Sequence, residues 1–139
     1  MAHGHRSISA ARDVLHERLG VEVATLRLVD QRFYHLDTCF CPLEGGYVMY
    51  YPPAFDEEST ALIEQRIPVS KRIVIDEEDA LAFACNAVNV DETIVVNRAS
   101  ADLVKLVGRK GFDVVQTPLS EFMKAGGSAK CLTLRLDEP

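Results

Sequence analysis

Hydrophobic and polar positions alternate along the chain in short blocks whose period switches between that of a helix and that of a strand. Residues 8–19 (ISAARDVLHERL) have helical spacing, with Ser7 or Ser9 placed to cap the start and Gly20 to stop it. Strand-like runs follow at 21–29 (VEVATLRLV) and 32–41 (RFYHLDTCFC). A turn over Pro42–Gly46 then leads into 47–51 (YVMYY), which predicts a hairpin closed off by Pro52-Pro53. Residues 56–66 open with acidic side chains, as suits the positive end of a helix dipole. Beyond them the pattern predicts a strand at 72–75, a short helix at 76–83 begun by Asp76, and strands at 85–90 and 93–97 around an Asp91-Glu92 turn. A helix at 100–109 begins at Ser100 and ends near Gly111. A strand at 112–116, a helical turn at 118–124, a Gly126-Gly127 turn and a strand at 130–136 complete the chain. Paired strands between helices predict an α/β architecture of repeated ββαβ-like units, not one doubly wound sheet.

At 139 residues the chain fits a single domain, 1–139. A net charge of −6 with no Lys/Arg cluster argues against a nucleic-acid face. That charge suits a cationic small substrate and is equally an ordinary solubility charge. No run approaches the ~18 apolar residues of a membrane helix, and the first residues lack the apolar core of a signal peptide. Neither a membrane nor a nucleic-acid partner is expected, and a cytoplasmic, reducing location is the default. Cys39, Cys41, Cys85 and Cys131 are then thiols, not a disulfide framework.

Segment 35–41 reads His-Leu-Asp-Thr-Cys-Phe-Cys. As a strand it would place His35, Asp37, Cys39 and Cys41 on one face. Three readings compete. A metal site would use His and Cys as ligands, but alternate positions on one strand suit a closed tetrahedral site poorly. The cysteines could instead be small core hydrophobes, with His35 a satisfied polar residue. Or His35 is a proton-transfer group with Asp37 beside it to orient it or bind a cation, which then requires a nucleophile from elsewhere. Segment 125–133 (Ala-Gly-Gly-Ser-Ala-Lys-Cys-Leu-Thr) offers one: Cys131 beside a Gly-Gly turn and next to Lys130 is placed to be poised as a thiolate. A buried structural thiol at a strand start is the alternative.

The combination of Phe33-Tyr-His-Leu-Asp-Thr-Cys-Phe-Cys-Pro-Leu43, Tyr51-Pro-Pro-Ala-Phe55, Phe83-Ala-Cys-Asn-Ala-Val88 and Lys124-Ala-Gly-Gly-Ser-Ala-Lys-Cys-Leu-Thr133 resembles the guanidine-modifying pentein enzymes. These include dimethylarginine dimethylaminohydrolases, arginine deiminases, arginine dihydrolases and amidinotransferases. The likeness runs from about Gly4 to Leu136, and its wording is most similar to the bacterial arginine dihydrolase branch.

The resemblance implies part of a pentein β/α propeller built of ββαβ modules. It implies Cys131 as the nucleophile on the guanidinium carbon and His35 as the acid/base. Asp37 would contact the guanidinium and Arg6 the substrate carboxylate. The reaction implied is thiol-dependent hydrolysis of arginine or a related guanidine, with amidino transfer to an amine as the alternative; no cofactor or metal is expected. In the family a guanidinium-holding Glu comes from the first half of the propeller, before the Arg6 region, and Glu44 matches no family position. The expectation is a C-terminal portion that lacks this Glu. It would be either inactive alone and associated, as a homodimer or with a missing N-terminal half, or a non-catalytic half-propeller module.

Overall fold

The computed structural model describes residues 1–134 and 136, and two copies of one hydrogen-bonding pattern dominate it. In the first copy, strand β3 (Phe40–Leu43) pairs antiparallel with β4 (Tyr47–Tyr50), in the register Phe40↔Tyr50. Helix α2 (Glu57–Arg66) then carries the chain back to β5 (Arg72–Val74), parallel to β4. The second copy repeats this. Strand β6 (Val88–Val90) is antiparallel to β7 (Thr93–Val96), helix α4 (Ala101–Gly108) crosses over, and β8 (Asp113–Gln116) is parallel to β7. Each copy is a ββαβ module with its second strand central. Ahead of them lies a β-α-β piece. Strand β1 (Ala2–His3) is parallel to β2 (Leu26–Arg27) across helix α1 (Ala11–Leu19).

Local chemistry explains the helices. Asp56, Asp76 and Ser100 each accept a hydrogen bond from the backbone N–H three residues on, satisfying an orphan donor of the first turn. Asp76 opens α3 (Glu77–Leu81), and Ser100 is itself fastened by Asp79, buried at 3% exposure, whose two oxygens take the Ser100 N–H and O–H at 2.7 Å each. Helix α4 buries Leu103 and Val107, one turn apart, against the sheet. Central strand β4, flanked by β3 and β5, buries Val48, Met49 and Tyr50 in succession, so both its faces are covered. One cluster, from Leu26 through Tyr50, Ile73 and Ile94 to Phe112, runs through both modules.

Several expected boundaries move. Helix α1 starts at Ala11 with no serine cap, because the carbonyls of Ile8, Ser9 and Ala10 already coil onto the next N–H groups. The 21–29 run shrinks to Leu26–Arg27, since β1 offers a ladder only two residues long. The strand expected over 32–41 bends instead: the His35 carbonyl accepts from both the N–H and the hydroxyl of Thr38, at 3.1 and 2.7 Å, winding Leu36–Thr38 into a 3-10 turn. The common face expected for His35, Asp37, Cys39 and Cys41 therefore does not form. Cys39 and Cys41 enter the core, His35 is exposed and Asp37 is half-buried. The run 130–136 is likewise not an extended strand at its start, where Lys130–Leu132 forms a 3-10 turn. Arg135 lies outside the described residues. Among the described residues no helix is long and apolar enough to cross a membrane.

Candidate active site

Four segments converge where the ends of the elements meet. The 3-10 turn after His35 presents Asp37. A short helix, α5 (Ser120–Met123), ends in the Gly126-Gly127 turn, and the 3-10 turn that follows presents Cys131. The Cys131 thiol is exposed, and its Sγ lies 3.7 Å from Asp37 Oδ2. Between them stands Asn86, fully buried, in the link from α3 to β6. Its Nδ2 reaches Cys131 Sγ at 3.2 Å, Asp37 Oδ2 at 3.2 Å and the Asp37 carbonyl at 3.3 Å.

The Gly turn is fastened from the other side. Tyr34 donates its hydroxyl to the Gly126 carbonyl. Gly126 has φ of +86°, and a Cβ there would run into that hydroxyl, so glycine is required twice over. The Tyr34 pKa is raised, chiefly by burial. Arg6, exposed, sets its guanidinium 5.5 Å from the centre of the Tyr34 ring. The His35 ring packs edge-on to Tyr34 at 5.2 Å. Among the described residues it makes no hydrogen bond to Cys131 or Asp37. The structure thus joins Cys131 and Asp37 directly, and ties His35 and Arg6 to the same cluster through Tyr34.

The other three thiols differ in kind. Cys39, Cys41 and Cys85 are buried at 0%, 5% and 1% exposure. Burial pushes the Cys39 thiol up to about 12 and the Cys41 thiol up to about 11, and raises Cys85 as well. Among the described residues no group of three or more His, Cys, Asp or Glu is arranged to hold a metal ion. Asp37 and Lys130 flank a hollow of about 370 Å³ floored by Cys41 and Cys85. A hollow of about 570 Å³ beside Asn97 and Met123 contains none of the site residues.

Sequence reasoning gave no role to Asn86 or Tyr34. The available signal for Asn86 is a single uncharged polar residue within the apolar run Ala82–Val88.

Paired ββαβ modules, with an exposed thiol and a carboxylate brought together beside them, define a pentein-type α/β fold. The chain belongs to that superfamily: arginine dihydrolases and a dimethylarginine dimethylaminohydrolase are homologous to it over nearly its whole length. It is 56% identical over 137 residues to a bifunctional arginine dihydrolase/ornithine cyclodeaminase of Synechocystis sp., covering 99% of this chain and 19% of that protein. It is 37% identical over 134 residues to an N(G),N(G)-dimethylarginine dimethylaminohydrolase of Mycobacterium tuberculosis, covering 96% of this chain and 44% of that enzyme. Against the crystal structure of the N-terminal domain of the cyanobacterial arginine dihydrolase, bound to substrate, the TM-score is 0.96 at 55% identity, over 99% of this chain and 51% of that one. The chain thus spans about half of that domain and about a fifth of the whole bifunctional protein. No family model matches the chain.

Proposed function

We propose that this chain supplies the nucleophile side of a hydrolase acting on the guanidinium of arginine or a closely related compound, with Cys131 as nucleophile and His35 as acid/base. One observation carries the reading: an exposed thiol whose sulfur lies 3.7 Å from a carboxylate oxygen, with a buried amide donor in reach of both. A carboxylate holds a planar guanidinium through its N–H groups and so sets the central carbon over the neighbouring sulfur. The same reading assigns Arg6 to the substrate carboxylate, the ring of Tyr34 steadying its guanidinium.

The chemistry follows from these roles. The Cys131 thiolate forms an S–C bond to the guanidinium carbon, giving a tetrahedral adduct. A C–N bond breaks as His35 gives a proton to the departing nitrogen, which leaves as ammonia. His35 then takes a proton from water, whose oxygen adds to the same carbon, and the S–C bond breaks to return the thiolate and a ureido product. A second round on that ureido group would release the amine, a further ammonia and carbon dioxide.

The reading also holds that residues outside these 139 complete the pocket. In its support, the chain spans about half the length of the dihydrolase domain it matches. Moreover β1, in the place of a central module strand, carries no antiparallel neighbour on its free edge among the described residues, whereas β4 and β7 each have one. The test incubates the chain with L-arginine, alone and with a polypeptide bearing the preceding propeller modules of an arginine dihydrolase. Ammonia, citrulline and ornithine are measured. The expected result is release only from the mixture, abolished by Cys131→Ser. Release by the chain alone would overturn the claim of an incomplete pocket. Release from the mixture that survives Cys131→Ser would overturn the nucleophile.

A further inference from the structure

We propose that Asn86 is the positioning residue of this site: its carboxamide lets the Cys131 thiolate and the Asp37 carboxylate stand side by side before any cation arrives. The inference rests on the reading of Cys131 as nucleophile and extends it to a residue to which neither the sequence motifs nor the proposed chemistry assigns a part.

The amide is fixed at both ends. Its Oδ1 accepts from the backbone N–H of Ser128 at 3.0 Å and of Cys131 at 3.2 Å, while its own backbone carbonyl accepts from Lys130 at 3.0 Å. This sets the carboxamide's orientation, since the reverse placement would turn its NH₂ against two N–H donors. Nδ2 is then committed to the other side, within 3.2–3.3 Å of Asp37 Oδ2, the Asp37 carbonyl and Cys131 Sγ. The peptide entering this position is held as tightly: Asn86 N–H bonds the Phe83 carbonyl at 2.9 Å, and Phe83 has φ of +56°, a conformation a bulky residue adopts only when its surroundings require it.

The need for such a group is electrostatic. With the thiol ionised, two negative atoms face each other across 3.7 Å, and like charges so close disfavour the doubly ionised state. Asn86 Nδ2 is within hydrogen-bond distance of both, and an N–H directed at each anion offsets part of their repulsion without adding a charge that would compete for the carboxylate. Lys could not serve here, because a fixed cation would occupy the place of the guanidinium. Asp in the same position would keep the acceptor for Ser128 and Cys131 but would present a third negative group. Gln would need room for a methylene where the residue has 0% exposure.

The role is separable from simple packing by a pH profile. The rate of Cys131 carbamidomethylation by iodoacetamide is followed by intact-mass spectrometry between about pH 5 and 10, with far-UV circular dichroism recorded on every variant. For Asn86→Asp the profile should move upward, so that labelling at pH 7 falls about tenfold or more while the high-pH plateau stays within about twofold. Asn86→Ala, which removes the donor without adding charge, should move it in the same direction by less. It reads the same displacement should the aspartate variant not fold. Adding Asp37→Asn to Asn86→Ala should recover most of the loss, because the carboxylate facing the sulfur is gone, whereas in Asn86→Asp it should recover only part, because the new carboxylate remains beside the sulfur. Profiles that superimpose on wild type, in folded variants, overturn the proposal. Superimposed profiles together with lost arginine turnover in the completed assembly would do so while leaving Cys131 as nucleophile. Displaced profiles with turnover that survives Cys131→Ser would support the positioning role and sink the hydrolase reading.

Discussion

Treating the folded protein with iodoacetamide at pH 8 should label Cys131 essentially to completion before Cys39, Cys41 or Cys85 reacts measurably. Only the thiolate attacks, and with pKa values of about 12 and about 11 its fraction at pH 8 is about 10⁻⁴ for Cys39 and about 10⁻³ for Cys41. A free cysteine of pKa about 8.5 has about a quarter of its thiol ionised there. The higher-pKa thiolates are intrinsically more nucleophilic, which returns part of this; with a Brønsted slope of ~0.45 the net handicap is roughly 20-fold for Cys41 and roughly 60-fold for Cys39. Burial then decides. With exposures of 0%, 5% and 1% these sulfurs meet reagent only when the core opens. Even a partial opening costing about 3 kcal/mol adds a further factor of about 150. The combined expectation is a gap of at least about a thousandfold, read by peptide mass spectrometry after a short pulse. In concentrated guanidinium all four should label at similar rates. Labelling of any buried cysteine within about tenfold of Cys131 in the folded protein would refute the reasoning.

Three further outcomes are expected. Asp79→Ala strands the Ser100 N–H and O–H that its carboxylate now accepts at 2.7 Å, and should cost about 2–4 kcal/mol in urea unfolding with an unchanged m-value; a loss under about 0.5 kcal/mol would show the cap to be dispensable. Because burial raises the Cys39, Cys41 and Cys85 thiols, the folded state holds protons that the unfolded chain releases, so the stability they support is complete below about pH 8.5 and is lost as pH climbs towards 11–12. The expected slope is about 1.4 kcal/mol per pH unit for each thiol, and a flat urea midpoint from pH 8 to about 10.5 would contradict it. Light scattering should report twice the 15.4 kDa chain mass, because β1's free edge and the exposed apolar residues of α1 (Val14, Leu15, Leu19) leave a surface that a second copy would cover; a monodisperse monomer would sink that expectation.

Much of the fold could be read from residues a few positions apart. Asp56, Asp76 and Ser100 announce their helices because a cap bonds only three residues ahead, and Asp91 marks its hairpin through a positive φ of 50°. The run 32–41 misleads for the same local reason: one Thr38 hydroxyl on one carbonyl bends a segment whose alternation otherwise reads as a strand. Of the candidate site, Cys131 and His35 stand out in the sequence by residue type, whereas Asn86 bonds partners 42 to 49 positions away, which no local pattern encodes. Cys39 and Cys41 looked chemically interesting by spacing and are in fact interior packing.

The contacts that build the site span the chain almost end to end, Tyr34 to Gly126 across 92 positions and Asp37 to Cys131 across 94, while each ββαβ module closes within about 35 residues. Loop-closure entropy separates these two scales in time as well as in space. A refolding chain is therefore expected to gain its modules before Cys131 meets Asn86 and Asp37, so that its sulfur is first a thiol with neither partner.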